Sequence, residues 1–168
     1  MKAIYSGTFD PVTFGHIDII RRGCAVAEKL ILAVPMEASK KCFFTLEKRL
    51  EMLESATQGL PITIETFDGL LIRFAESKGI NTLIRGVRDI FDFTYESKMA
   101  NYNKTINNKI ETFFLITSPE FMHLSSSGVK EFARHGLSKQ GASNELDKMV
   151  PPVVKARLLE AVTKQKLQ

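Results

Sequence analysis

Five times along the chain a short apolar run, mostly β-branched or aromatic, precedes a longer segment whose apolar residues recur every three or four positions. Few architectures satisfy that alternation. Strands that all run the same way need crossover connections of about a dozen residues or more, usually helical, which cover both faces of a parallel sheet. The strands read as Lys2 to Ser6, Leu30 to Val34, Ile62 to Thr66, Thr82 to Arg85 and Thr112 to Ile116. Gly7 closes the first, Pro35 stops the second, and the fourth is broken at Gly86. Helices are predicted from Gly15 to Glu28, with Ile17, Ile20, Cys24 and Ala27 on one face, and from Leu46 to Gln58, with Leu46, Leu50 and Leu53 inward. Two more run from Leu70 to Lys78 and from Phe91 to Thr105. Thr45 suits an N-cap and Gly79 a C-cap. Glu37 to Phe44 reads as a polar loop, and another loop passes through Pro119. A short helix spans Ser125 to Gly136, residues 137–150 read as a mobile connection, and Pro151-Pro152 open a C-terminal helix over 151–166. The expected fold is α/β: residues 1–168 as a single domain, a Rossmann-like, doubly wound, parallel five-stranded sheet with flanking helices and a C-terminal helix.

Composition narrows the function classes. With 44% hydrophobic and 25% charged residues, the chain is neither collagen-like nor largely disordered. Its apolar runs fall well short of the roughly 18 residues of a membrane-spanning helix. The opening Met1-Lys2-Ala3-Ile4-Tyr5-Ser6 is too short and polar for a signal peptide. Cys24 and Cys42 form no Cys-x-x-Cys and have no matching His cluster, so they read as reduced thiols of a cytoplasmic protein. The net charge of +4 invites a nucleic-acid reading, yet residues 148–168 hold five basic side chains and one acidic, which accounts for all of it. The basicity belongs to the tail, and no nucleic-acid face is concentrated elsewhere.

Ligands of such sheets bind beyond the carboxyl ends of the strands. The polar segments there are Ser6-Gly7-Thr8, Glu37 to Lys41, Asp68-Gly69, Arg85 to Arg88, and Thr117 to Ser127. All five are expected on one edge. Gly15-His16 opens a helix, where unpaired N–H groups and the positive end of the dipole favour phosphate, and His16 adds a donor. The spacing fits neither Gly-x-Gly-x-x-Gly nor a Walker loop. Arg85 and Arg88 flank Gly86 and can fork onto anionic oxygens, although two solvated turn arginines would read alike. Lys40-Lys41 could equally be solvated surface. Ser125, Ser126 and Ser127, with Lys130 one turn in, exceed what a helix cap needs. Glu96, near Tyr95 and Asp92, could be an ordinary acid of an early helical turn. His123 and His135 lack partners at metal or triad spacing, and no Gly-x-Ser-x-Gly or His-Glu-x-x-His occurs. The inventory is one of phosphate ligands without a covalent nucleophile or base. It suits a substrate that brings its own ionised nucleophile, such as a phosphate monoester with a second pKa of about 6. Transfer then rests on positioning and charge stabilisation.

Tyr5-Ser6-Gly7-Thr8-Phe9-Asp10-Pro11 followed by Thr13-x-Gly15-His16 resembles the signature of the nucleotidyltransferase superfamily. With Ser39-Lys40-Lys41, Leu83 to Arg88, Asp92-Phe93-x-Tyr95-Glu96 and Leu124 to Glu131, the chain resembles the bacterial phosphopantetheine adenylyltransferases from Lys2 to about Leu159. The resemblance implies transfer of AMP from ATP to 4′-phosphopantetheine, giving dephospho-coenzyme A and pyrophosphate in coenzyme A biosynthesis. It also implies Mg²⁺ carried by the ATP phosphates, with no metal ligand from protein side chains, a homohexamer, and feedback inhibition by coenzyme A. Carried over, His16 stabilises the transition state, with Thr8, Lys40 and Arg88 also catalytic. Thr8, Phe9, His16, Gly86, Val87, Arg88, Glu96, Phe121, Met122, His123, Leu124, Ser125, Ser126 and Ser127 bind ATP. Thr8, Lys40 and Arg85 hold the phosphate of phosphopantetheine, and Leu71 lines its arm. Ser6 and Cys42 stand where the family commonly has proline. Other adenylyl- or cytidylyltransferases, acting on nicotinamide mononucleotide or a polyol phosphate, more often carry His where Thr13 stands. A nucleotide-binding regulator would not need anchors for both substrates, and a nucleic-acid reading rests on the tail alone.

Overall fold

In the computed structural model, which describes residues 1–37, 41–136 and 142–166, the five apolar runs form one sheet. Its strands are β1 (Lys2–Ser6), β2 (Lys29–Pro35), β3 (Ile62–Phe67), β4 (Thr82–Val87) and β5 (Glu111–Ile116). They lie in the order β3-β2-β1-β4-β5, every pair parallel. Alternate side chains of the central strands feed two cores, as expected for strands buried on both faces. Ala3, Tyr5, Leu30, Leu32, Val34 and Ile84 enter the larger core. Ile4, Ile31, Ala33 and Leu83 enter the smaller.

Helices α1 (Phe14–Val26) and α2 (Leu46–Ala56) supply Ile17, Ile19, Ile20, Met52 and Leu53 to the larger core. On the other face α3 (Leu71–Ser77) buries Ile72 and Ala75. The helix α4 (Ile90–Ile106) buries none of its residues fully, and it leaves Phe91 82% exposed. Thr45 caps α2 by accepting from the Lys48 amide, and Gly79 takes the positive φ of +62° that ends α3. Sequence cues missed the cap of α4: Asp89 accepts from the amides of Phe91 and Asp92.

One sequence expectation needs correction. The fourth strand does not break at Gly86; it continues to Val87, pairing Gly86 with Leu115 and Val87 with Ile116. Glycine is required there by a close approach, since a Cβ would lie 2.8 Å from Cγ1 of Ile19 on α1. Within residues 137–150, read as a mobile connection, lies a helix that the sequence reading did not identify, α6 (Ala142–Leu146), between α5 (Ser126–Gly136) and α7 (Pro152–Lys166). Residues 137–141 lie outside the described residues. Leu146, Val150, Val154, Leu158 and Val162, four apart throughout, all enter the larger core. The polar composition around them hid that period. The tail's basicity is also largely spent at home: Lys148, Lys155, Arg157 and Lys164 are each ion-paired, with Glu145, Asp147, Glu51 and Glu160 as partners. Among the described residues, no helix is long and apolar enough to cross a membrane.

Candidate active site

Chain connections leave β1 and β4 in opposite directions, so their carboxyl ends open a crevice at the switch point of the sheet. A cavity of about 710 Å³ fills it. Four of the five segments expected at this edge reach it: Ser6 to Thr8, Lys41, Arg85 with Arg88, and Thr117 with Leu124 to Ser127. The Asp68-Gly69 turn does not, because β3 is the edge strand, two places from β1.

The β1–α1 loop is held under strain. Phe9 has φ of +47°, uncommon for a bulky residue. Its ring is buried and sits edge-on to Tyr5 and to His16, at centroid distances of 5.7 and 5.3 Å. Asp10 ties the loop to the segment before α2 and to α5. Its carboxylate accepts from the amides of Phe43 and Phe44 and from Lys130 Nζ, each at 2.8 Å. Burial pushes the Asp10 carboxyl up, but these bonds outweigh it and hold the group below the usual carboxylate range.

His16 occupies the third position of α1, and its Nδ1 accepts from the Thr13 amide at 3.0 Å. This is the return half of a capping box, with imidazole in place of a carboxylate. An accepting Nδ1 puts the ring proton on Nε2. Burial, then the charges of Arg88 and Arg85, press the imidazole down to a pKa of about 4. At neutral pH His16 is an uncharged N–H donor lining the cavity.

The arginines across the cavity are already engaged. Arg85 donates from Nε and Nη2 to the two oxygens of Glu96, at 2.7 and 2.6 Å, and from Nη1 to the Ser6 carbonyl at 2.6 Å. Arg88 grips Asp92 through Nε and Nη2 and donates to the Leu124 carbonyl. The Arg88 bond in turn keeps Asp92 ionised well below its ordinary range. Beneath them burial drives the Tyr5 phenol up to about 12. The serines divide the labour: Ser125 Oγ caps α5 by accepting from the Gly128 amide, Ser126 Oγ donates to the Pro11 carbonyl, and Ser127 stays exposed at the cavity.

The cytidylyltransferase-like family matches residues 4–132. A phosphopantetheine adenylyltransferase of Caldanaerobacter subterraneus subsp. tengcongensis is 44% identical over 163 residues, 96% of this chain and 98% of that protein. The chain belongs to the phosphopantetheine adenylyltransferase family. It is thus a nucleotidyltransferase. Solved structures share the fold at low identity. The Plasmodium falciparum nicotinic acid mononucleotide adenylyltransferase complexed with NaAD has a TM-score of 0.68 at 15% identity, over 99% of this chain and 96% of that one. A putative nicotinate-nucleotide adenylyltransferase from Vibrio parahaemolyticus has a TM-score of 0.65 at 15% identity, over 96% and 93%.

Of the residues carried over from the adenylyltransferase family, Thr8, His16, Arg85, Gly86, Arg88, Glu96, Leu124 and the three serines line the one cavity. Phe9 is buried beneath it, and Val87 lines a smaller apolar cleft beside α4. Phe121 closes the 3₁₀ turn Pro119–Phe121 and packs on Phe14, while Met122 and His123 are exposed outside the cavity wall. Leu71 opens α3 away from that wall. Lys40 lies outside the described residues. Sequence reading assigned no role to Tyr5, to Asp10 as a cross-link, or to Asp18, which accepts from the amide and hydroxyl of Ser118 and steadies the loop after β5. The partners of Asp10 and Asp18 are distant in sequence, so only a motif position marked Asp10 and nothing marked Asp18.

Among the described residues no group of three or more His, Cys, Asp or Glu side chains could hold a metal ion. Asp10, Asp92 and Glu96, the carboxylates of the cavity, are all bound to cations and do not fit as metal ligands in that state.

Proposed function

We propose that the chain transfers AMP from ATP to 4′-phosphopantetheine, forming dephospho-coenzyme A and pyrophosphate in coenzyme A biosynthesis. One observation carries the reading: a neutral histidine donor and two forked arginines, from opposite sides of the switch point, line a single cavity. The 44% identical relative supports the choice of acceptor.

In this reading a phosphate oxygen of the acceptor attacks the α-phosphorus of ATP in line. The new P–O bond forms as the bond to the bridging oxygen of pyrophosphate breaks, with no covalent enzyme intermediate. The acceptor phosphate is already ionised near neutrality, so no base is needed. His16 Nε2–H donates to an oxygen on the α-phosphorus as charge builds there, and Thr8 and the first turn of α1 bind the phosphates. Arg88 compensates the charge of the phosphate chain. Lys40, Arg85 and Thr8 hold the acceptor phosphate, with Leu71 along its arm. Phe9, Gly86, Val87, Glu96 and the stretch Phe121 to Ser127 surround the nucleotide. Mg²⁺ would arrive on the ATP phosphates and supply charge neutralisation, held by no side chain of the described residues. Copies of the chain would assemble into a hexamer through exposed apolar surface such as Ile90, Phe91 and Ile116, and coenzyme A would act as a feedback inhibitor at the same cavity.

A pyrophosphate-release assay with 4′-phosphopantetheine, nicotinamide mononucleotide and glycerol phosphate as competing acceptors tests this. Turnover with phosphopantetheine and only background with the others is expected. Release driven by either alternative, without phosphopantetheine turnover, overturns the reading.

A further inference from the structure

Arg49, on α2, occupies a costly position. It is 3% exposed, in the first turns of a helix, where the dipole disfavours a cation. No carboxylate among the described residues lies within ion-pair distance of it, unlike Arg85 and Arg88. Its Nε is buried with no hydrogen-bond partner. Among the described residues its other nitrogens donate only to main-chain carbonyls, from Nη1 to Thr8 at 2.9 Å and from Nη2 to Pro35 at 3.4 Å. Buried charge and an orphaned donor are both expensive, and each asks for a reason.

We infer that Arg49 is a positioning residue that sets the Thr8–Phe9 peptide so that the Phe9 N–H faces the nucleotide phosphates. The peptide is trans, so its C=O and N–H point in opposite directions. Arg49 draws the Thr8 carbonyl toward α2. Thr8 lines the cavity and Arg49 does not, so the guanidinium approaches from behind the loop. The Phe9 N–H, which has no partner among the described residues, is left facing away from α2. The same orientation accounts for the strain at Phe9. Turning the peptide over would return Phe9 to negative φ but would break the Arg49 bond and point the N–H away from the phosphate site. The bond to Pro35 joins this loop to the carboxyl end of β2, so two rims of the cavity hang on one side chain.

The inference rests on the reading of the Gly7–His16 loop as the triphosphate site, and the test separates the two. Binding of ATP and of adenosine to the full chain is measured by calorimetry for wild type, Arg49→Lys and Arg49→Met. Lysine keeps the charge but cannot fork onto two carbonyls. We expect the preference for ATP over adenosine to fall about tenfold in R49K and further in R49M, with adenosine affinity within about twofold of wild type. The Phe9 amide resonance should shift in R49K on the same protein. Wild type binding both ligands alike would overturn the phosphate-site reading and this inference together. A wild-type preference for ATP that R49K and R49M retain, or an equal loss of both ligands, overturns the role of Arg49 alone. Should R49M not fold, R49K decides; should neither fold, Arg49 is a folding residue and the inference fails.

Discussion

The two rims of the cavity handle charge in opposite ways. On the β4–α4 side both arginines are closed on carboxylates from one helix, Glu96 and Asp92. On the β1–α1 side the donor that faces the cavity is a neutral imidazole, the first turn of α1 carries no acid, Lys130 is closed on Asp10 of the loop itself, and Arg49 behind the loop meets no acceptor but carbonyls among the described residues. A guanidinium that exchanges a carboxylate for a phosphate is never left bare in a partly dry site, which limits the desolvation cost of binding. A neutral N–H needs no counter-ion and strengthens as negative charge grows on its acceptor. One rim is therefore suited to holding an anion by charge, and the other to meeting phosphate oxygens, and the charge that builds on them during the reaction, with neutral N–H donors.

Removing the neutral donor should have the largest effect. His16→Ala is expected to lower kcat by about 10²–10³ while nucleotide affinity persists, the usual consequence of losing one preorganised donor. Steady-state rates beside ATP calorimetry check it. Near-normal turnover would mean that developing charge is met elsewhere, and the division between the rims would dissolve.

On the opposite rim the expected loss is in binding. Arg85→Ala should weaken phosphopantetheine about 10–100-fold, in line with one charge-assisted fork of roughly 1.5–3 kcal/mol, and leave ATP affinity nearly unchanged. The single variant also strands the carboxylate of Glu96, which is only 14% exposed. The double variant Arg85→Ala/Glu96→Gln should recover thermal stability without recovering affinity. Unaltered phosphopantetheine affinity in calorimetry would count against the anion-holding role of this rim.

The rims were unequally legible in the sequence. The sheet could be read because runs such as Leu30 to Val34 are apolar at every position, as a strand buried on both faces must be. His16, Arg85 and Arg88 could be read because they stand at a helix start and at a strand's carboxyl end, where His16 opens α1 and Arg85 and Arg88 flank the last residues of β4. Gly86 could not be resolved, since a glycine that ends a strand and one that admits a helix look alike until Ile19 is seen against it. The pairing of Arg88 with Asp92 sits at helical spacing, but that of Arg85 with Glu96 crosses from strand to helix over 11 residues. Asp10 meets partners 33, 34 and 120 residues away, and Arg49 meets Thr8 41 residues away. Such contacts arise from the order of the strands and carry no local signature.

The smallest effect lies in how stability depends on pH. An unperturbed imidazole titrates near 6.5, and His16 in the folded chain near 4. Above 6.5 it is neutral in both states, and its preference for the folded environment is fully present. Between 6.5 and about 4 the unfolded chain takes up a proton that the folded chain refuses, so stability falls as pH falls. With partial solvent screening the loss amounts to about 1–2 kcal/mol. Asp10, depressed below its ordinary 3.8, loses its own contribution only at lower pH, whereas Glu28, Glu47, Glu111 and Glu160, depressed from 4.5, begin to lose theirs at the bottom of this window and do so equally in a His16 variant. Urea unfolding at pH 7 and pH 4.5 should show the decline in wild type and a shallower one in His16→Asn. Equal slopes would mean that the imidazole takes up its proton as readily folded as unfolded. It would then stand charged beside Arg85 and Arg88 in mildly acidic solution, and the β1–α1 rim would hold anions by charge just as the opposite rim does.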